Sequence, residues 1–161
     1  TYVMDWGLAK AQPDPEASAA DSLLEPEATL SGQVMGTPSY MAPEQAMGTP
    51  SVLDPRLDVY SLGALLYQAL ARVAPYADRG ISTGFAMVEA VRGGPPTPLE
   101  RLAPEAPPEL RAIAPKAMAR DRNRRYADAA AMGADLQRWL EGRVVHAHRT
   151  GLRVELAKWV A

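Results

Sequence analysis

The chain has 161 residues, 47% of them hydrophobic, with 17 basic against 19 acidic side chains and a formal net charge of -2. That length and balance fit one domain or a large lobe with its own core, and they lack the basic excess that binding a phosphate backbone requires, which argues against a nucleic-acid partner. With no cysteine there is no disulfide framework and no thiolate chemistry, so nothing calls for an oxidising compartment and a cytoplasmic setting is expected. No run approaches the ~18 consecutive apolar residues of a membrane-spanning helix, and no charged-then-apolar leader opens the chain.

In chain order, residues 11–33 carry Asp14, Glu16, Asp21, Glu25 and Glu27 with prolines at 13, 15 and 26 and no Lys or Arg, which predicts a solvated acidic loop. From Leu57 to Leu70, Val59, Leu62, Gly63, Leu66, Tyr67 and Leu70 recur at the i, i+3, i+4, i+7 spacing of a buried helix, bracketed by Pro55 and Pro75. A second helix is predicted from Thr83 to Val91, stopped by Gly93, Gly94, Pro95 and Pro96, and the proline density to Pro108 predicts a surface-wrapping loop. A third helix should run from Glu109 to about Arg120 through Leu110, Ile113, Ala117 and Met118, with a kink or break at Pro115, because an interior proline removes a donor and clashes one turn back. The last predicted helix is capped by Asp128, puts Met132, Leu136, Trp139 and Leu140 on one face and stops at Gly142. No period-2 alternation of any length and no internal repeat is present, so the fold class is mainly α.

The chemistry is concentrated earlier in the chain. Asp5-Trp6-Gly7 precedes Gly36-Thr37-Pro38-Ser39-Tyr40-Met41-Ala42-Pro43-Glu44, and Asp58-Val59-Tyr60-Ser61-Leu62-Gly63 follows. In order and spacing these blocks resemble the Mg²⁺-binding Asp, the Ala-Pro-Glu end of the activation segment and the long central helix of the protein kinases, specifically the bacterial serine/threonine type. The resemblance covers Asp5 to about Leu140. It implies a helical protein-kinase-like C-terminal lobe, with residues 1–141 as a partial kinase domain and 142–161 as a basic tail, linker or juxtamembrane start. The Gly-rich loop, the strand Lys and the catalytic loop of that family cannot be fitted into Thr1 to Met4, so a fragment is expected that is inactive alone and needs the missing N-terminal half.

By the same resemblance the cofactors are ATP and Mg²⁺, and the partners are protein substrates. Asp5 is the catalytic metal ligand, a hard anionic oxygen of the kind Mg²⁺ needs against phosphate. Trp6 stands where the family usually has Phe. Thr37 would hydrogen-bond the catalytic base of the absent loop, and Tyr40 and Met41 would floor the substrate site. Glu44 would bury a carboxylate against Arg125 in the turn Asp121-Arg122-Asn123-Arg124-Arg125, while Arg122 and Arg124 read as solvated. Asp58 would accept backbone N–H groups of the catalytic loop, its plain alternative being a helix N-cap. Thr29 and Ser31 are candidate phosphorylation sites in the activation loop. His146 and His148 lie among arginines with no carboxylate at ligand spacing, a poor metal site, and the tail reads as solvated or juxtamembrane, with any membrane anchor beyond Ala161. The alternative function is a non-catalytic pseudokinase or binding module descended from a kinase lobe.

Overall fold

The computed structural model describes residues 38–48 and 54–148, all inside the second of the two compact units into which the chain divides, residues 34–161. Among the described residues there are six α-helices, three short 3-10 turns and no strand. The helices are α1 (Pro43–Ala46), α2 (Arg56–Ala71), α3 (Gly84–Gly93), α4 (Leu99–Leu102), α5 (Pro108–Ala117) and α6 (Ala129–Leu140).

Helix α2 is the hub. One set of its side chains, Tyr60, Ala64 and Tyr67, packs with Ala42, Leu99, Ala114 and Met118, while Val59 joins Leu110, Ile113, Ala117, Tyr126, Met132 and Val145. A third cluster of Ala46, Tyr76, Val88 and Val91 ties α1 to α3. The α2–α5 crossing is close because Gly63 has no side chain. A Cβ there would sit 2.6 Å from the Ala117 Cβ and 3.0 Å from the Met118 Cγ, well inside van der Waals contact.

The helix ends follow local chemistry. Thr83 caps α3 by accepting the Ala86 N–H at 3.2 Å, and Asp128 caps α6 by accepting that of Ala131 at 2.7 Å. Arg72 closes α2 in the left-handed region, its N–H donating to the Gln68 carbonyl at 2.7 Å. Gly142, at φ 68°, turns the chain after α6.

Five expectations need correction. Leu62 falls about 100° round α2 from Gly63, off the side that α5 covers, and is exposed, as is its i+3 neighbour Leu65. Leu140, at the last turn of α6, is 70% exposed, beyond the reach of the core. Helix α5 continues through Pro115, which is exposed and sits in its last turn, so only one backbone bond is forfeited; the Met118 N–H still reaches the Ala114 carbonyl at 3.0 Å. That helix ends at Ala117 rather than near Arg120. The loop between Gly93 and Pro108 is interrupted by α4, whose Leu99 is fully buried and anchors the proline-rich stretch against α2.

The segment after α6 folds back. Val145 is 1% exposed inside the core, and the buried carboxylate of Asp135 accepts the His146 N–H at 2.9 Å and the Ala147 N–H at 3.0 Å, together with the Tyr126 hydroxyl at 2.9 Å. Residues 143–148, read in the sequence as the start of a departing tail, are therefore fastened to the lobe. No described helix is long and apolar enough to cross a membrane.

Candidate functional site

Residues 38–48 form a short segment whose path is set from both sides. Pro38–Tyr40 makes a 3-10 turn closed by the Met41 N–H on the Pro38 carbonyl at 3.1 Å. Pro43 then starts α1 at a position where a missing N–H costs nothing, and the Gln45 carboxamide reaches back to accept the Ala42 N–H at 3.0 Å.

Tyr40 and Met41 point into different clusters. The Tyr40 ring packs against the α2 core, its hydroxyl donates to the Gln68 side chain, and the Ser61 hydroxyl donates to its carbonyl at 3.2 Å. Met41 packs on the cluster of Ala46, Tyr76, Val88 and Val91. Both residues are half-buried, so each keeps part of its surface free while its backbone is fixed. Gln68 carries no motif, and Ser61, though it stands in the block from Asp58 to Gly63, has no role that the sequence marks.

Glu44 and Arg125, 81 residues apart, are brought together in a bidentate pair with both N–O distances at 2.7 Å. The Arg125 side chain is completely buried, whereas that of Glu44 keeps 20% of its surface. The guanidinium also donates to the Ala119 carbonyl at 2.8 Å and the Arg56 carbonyl at 3.0 Å, and it lies 4.9 Å from the Tyr60 ring centroid. A planar fork with this many partners is the geometry that lets a buried cation recover its lost hydration. Burial by itself would raise the Glu44 pKa, but the Arg125 hydrogen bonds, the backbone, and the charges of Arg125 and Arg122 outweigh it and hold the carboxyl below its ordinary value.

Two further arginines brace the segment without any sequence signal. The Arg92 Nε donates to the Ala46 carbonyl at 2.6 Å, and Arg120 donates to the Val91 and Arg92 carbonyls, each at 2.7 Å. These are carbonyls that helix ends leave without intrahelical partners. Tyr76 sits fully buried in the left-handed region at φ 68°, held by its hydroxyl on the Gly94 carbonyl at 3.0 Å and by Arg79 at 5.0 Å from its ring centroid.

Asp58 is exposed in the first turn of α2 and is not the N-cap, a position held by Pro55. Asp54 does the local work instead, accepting the Arg56 N–H at 2.9 Å. Arg122 and Arg124 are exposed, Arg122 reaching Asp54 only at 3.7 Å. Asp5, Thr29, Ser31 and Thr37 lie outside the described residues, and no cluster of His, Cys, Asp or Glu among the described residues could hold a metal ion.

The family description of the protein kinase domain matches residues 2–136. The chain is 39% identical over 141 residues to the serine/threonine-protein kinase PknB of Mycolicibacterium smegmatis, covering 87% of this chain and 20% of that protein. It is 35% identical over 143 residues to the probable serine/threonine-protein kinase PknB of Bifidobacterium longum, covering 88% of this chain and 19% of that protein. It is also 37% identical over 138 residues to the tyrosine-protein kinase MasK of Myxococcus xanthus, covering 86% of this chain and 19% of that protein. The chain thus spans about a fifth of the length of these relatives. A helical lobe organised around α2, the segment ending in Ala42-Pro43-Glu44 and the Glu44–Arg125 brace, matched over residues 2–136, establish that the chain belongs to the protein kinase family, as part of a catalytic domain of the bacterial serine/threonine type.

Proposed function

We propose that the chain serves as the C-terminal lobe of a serine/threonine protein kinase, which transfers the γ-phosphate of ATP to protein hydroxyls once the rest of the catalytic domain is present. The observation that carries this reading is the Glu44–Arg125 pair, which fixes the end of the activation segment against α2 and the turn before α6. Phosphoryl transfer depends on positioning more than on covalent chemistry by the protein, so a substrate floor held this firmly has a direct catalytic use. Tyr40 and Met41 form that floor, with Gln68 and Ser61 holding the first of them in place.

Mg²⁺, when bound, would neutralise the phosphate oxygens. The resemblance of Asp5-Trp6-Gly7 to the family's metal-binding block assigns Asp5 to it, a carboxylate being the hard anionic donor that Mg²⁺ takes. Thr37 is assigned to orienting the catalytic base, and Thr29 and Ser31 to phosphorylation control. The alone-inactive fragment and the membrane-proximal tail belong to the same reading.

The test is phosphoryl transfer by the complete kinase domain carrying Asp5→Asn, at saturating ATP and Mg²⁺. Turnover should fall by orders of magnitude with the melting temperature unchanged. Near-normal turnover would remove Asp5 from the site, and a wild-type domain that binds partners but transfers nothing would favour the binding-module alternative.

A further inference from the structure

A cavity of about 310 Å³ opens between the last turn of α5, the body of α6 and the segment that follows α6. None of its lining residues belongs to the Glu44 brace or the Tyr40 floor. Its walls are Tyr126, Ala131 and Ala134, and three basic side chains line it from three separate elements: Lys116, Arg138 and His146.

The acidic group in the wall is already committed. Asp135 is 2% exposed, and its two oxygens accept the His146 and Ala147 N–H groups and the Tyr126 hydroxyl. The basic groups are not so engaged. The Lys116 ammonium rests 4.1 Å from the Tyr126 ring centroid. Among the described residues neither Lys116 nor Arg138 has an ion pair, whereas neighbouring Arg143 is bonded to Glu141 at 2.5 Å. Lys116 and Arg138 face a single carboxylate in this lining, Asp135, so the cavity carries an excess of positive charge that a bound anion relieves.

We propose that this cavity binds a phosphate monoester dianion. A carboxylate is satisfied by two donors, but a tetrahedral dianion presents three oxygens to a planar fork from Arg138, a point charge from Lys116 and an imidazole N–H from His146. Tyr126, Ala131 and Ala134 supply an apolar wall for the carbon beyond the ester oxygen. The volume suits one phosphorylated side chain or one small phosphate ester.

Three probes titrated onto the intact protein and followed through the His146 ring resonances test the site: inorganic phosphate, O-phosphothreonine, and a phosphothreonine peptide beside its unphosphorylated twin. The phosphorylated probes should bind saturably and the bare peptide should not. Arg138→Met and Lys116→Met should each weaken binding about tenfold, since each removes a charge-assisted contact. Arg138→Lys should retain part of the affinity, and Arg143→Met should leave it unchanged. A peptide that binds more tightly than O-phosphothreonine identifies a phosphoprotein as the source; equal affinity identifies a small ester. Absence of saturation with all phosphorylated probes overturns the proposal, as does an Arg143→Met loss equal to that of Arg138→Met, which would mean diffuse charge attraction and no site.

Discussion

Removing one partner of the Glu44–Arg125 pair should be among the most damaging polar changes available in this lobe. Glu44→Ala leaves a guanidinium with no solvent exposure and only the Ala119 and Arg56 carbonyls and the Tyr60 ring beside it, having lost two charge-assisted bonds of 2.7 Å. Breaking a buried pair in this way costs roughly 3–5 kcal/mol, most of it the stranded charge. Arg125→Ala strands Glu44 instead, along with two carbonyls, and should cost about as much. The double variant strands no charge, so it should cost little more than either single variant, and the coupling shows as strong non-additivity in denaturant melts. Arg122→Ala and Arg124→Ala, both exposed, should each shift stability by about 0.5 kcal/mol or less. Acidification offers a second reading of the same pair. The folded-state pKa of Glu44 is depressed, so its contribution is fully present above the ordinary carboxylate value of 4.5 and is lost as pH falls through the lowered value. Additive losses in the double variant, or a larger effect at Arg124 than at Arg125, would refute the assignment of the partner and the register of α6.

Gly63→Ala sets a helix-propensity gain of about 1 kcal/mol against a Cβ 2.6 Å from Ala117, and overpacking should win with a net loss of about 1–2 kcal/mol by chemical denaturation; unchanged or raised stability would mean that α2 and α5 are not packed this closely. Asp135→Ala strands the His146 and Ala147 N–H groups, should cost about 3 kcal/mol, and should speed tryptic cleavage at Arg143; a cleavage rate equal to wild type would mean the segment is not fastened there. Burial, aided by Asp78, pushes Tyr67 up to about 12, and burial likewise raises Tyr60, Tyr76 and Tyr126. Keeping these phenols neutral contributes stability that is complete below pH 10.0 and disappears as pH rises through the raised values, so their phenolate absorbance should grow together with loss of helical circular dichroism. Full titration of Tyr60, Tyr67, Tyr76 and Tyr126 near pH 10.0 with the helical signal intact would contradict their burial.

The long helices were legible because their signals are local and repeated. Val59, Gly63 and Tyr67 at helical spacing gave α2, and Asp128 with the apolar positions behind it gave α6. The pairing of Glu44 with Arg125 came from resemblance; no local pattern links residues 81 apart. What escaped was too short or too distant for periodicity. Helix α4 is four residues between prolines, with only Leu99 and Leu102 to mark it. The braces by Arg92, Arg120 and Asp135 end on backbone groups, which every residue carries and no sequence pattern distinguishes. Leu62 was misplaced because a helix with few charges reads as apolar all round, and only the position of α5 decides which side is covered.

The separation of Glu44 from Arg125 also sets a schedule for biosynthesis. Translation delivers the carboxylate 81 residues before its guanidinium, and until then Glu44 has only water to satisfy it. Tyr40 and Met41 beside it cannot acquire their braced position on a nascent chain that has not yet made the turn before α6. A polypeptide interrupted anywhere between these two residues would carry the segment ending in Glu44 unbraced. The fold thereby couples the fixed position of residues 40–44 to near-completion of the lobe, and prematurely terminated chains are left with that surface unfixed.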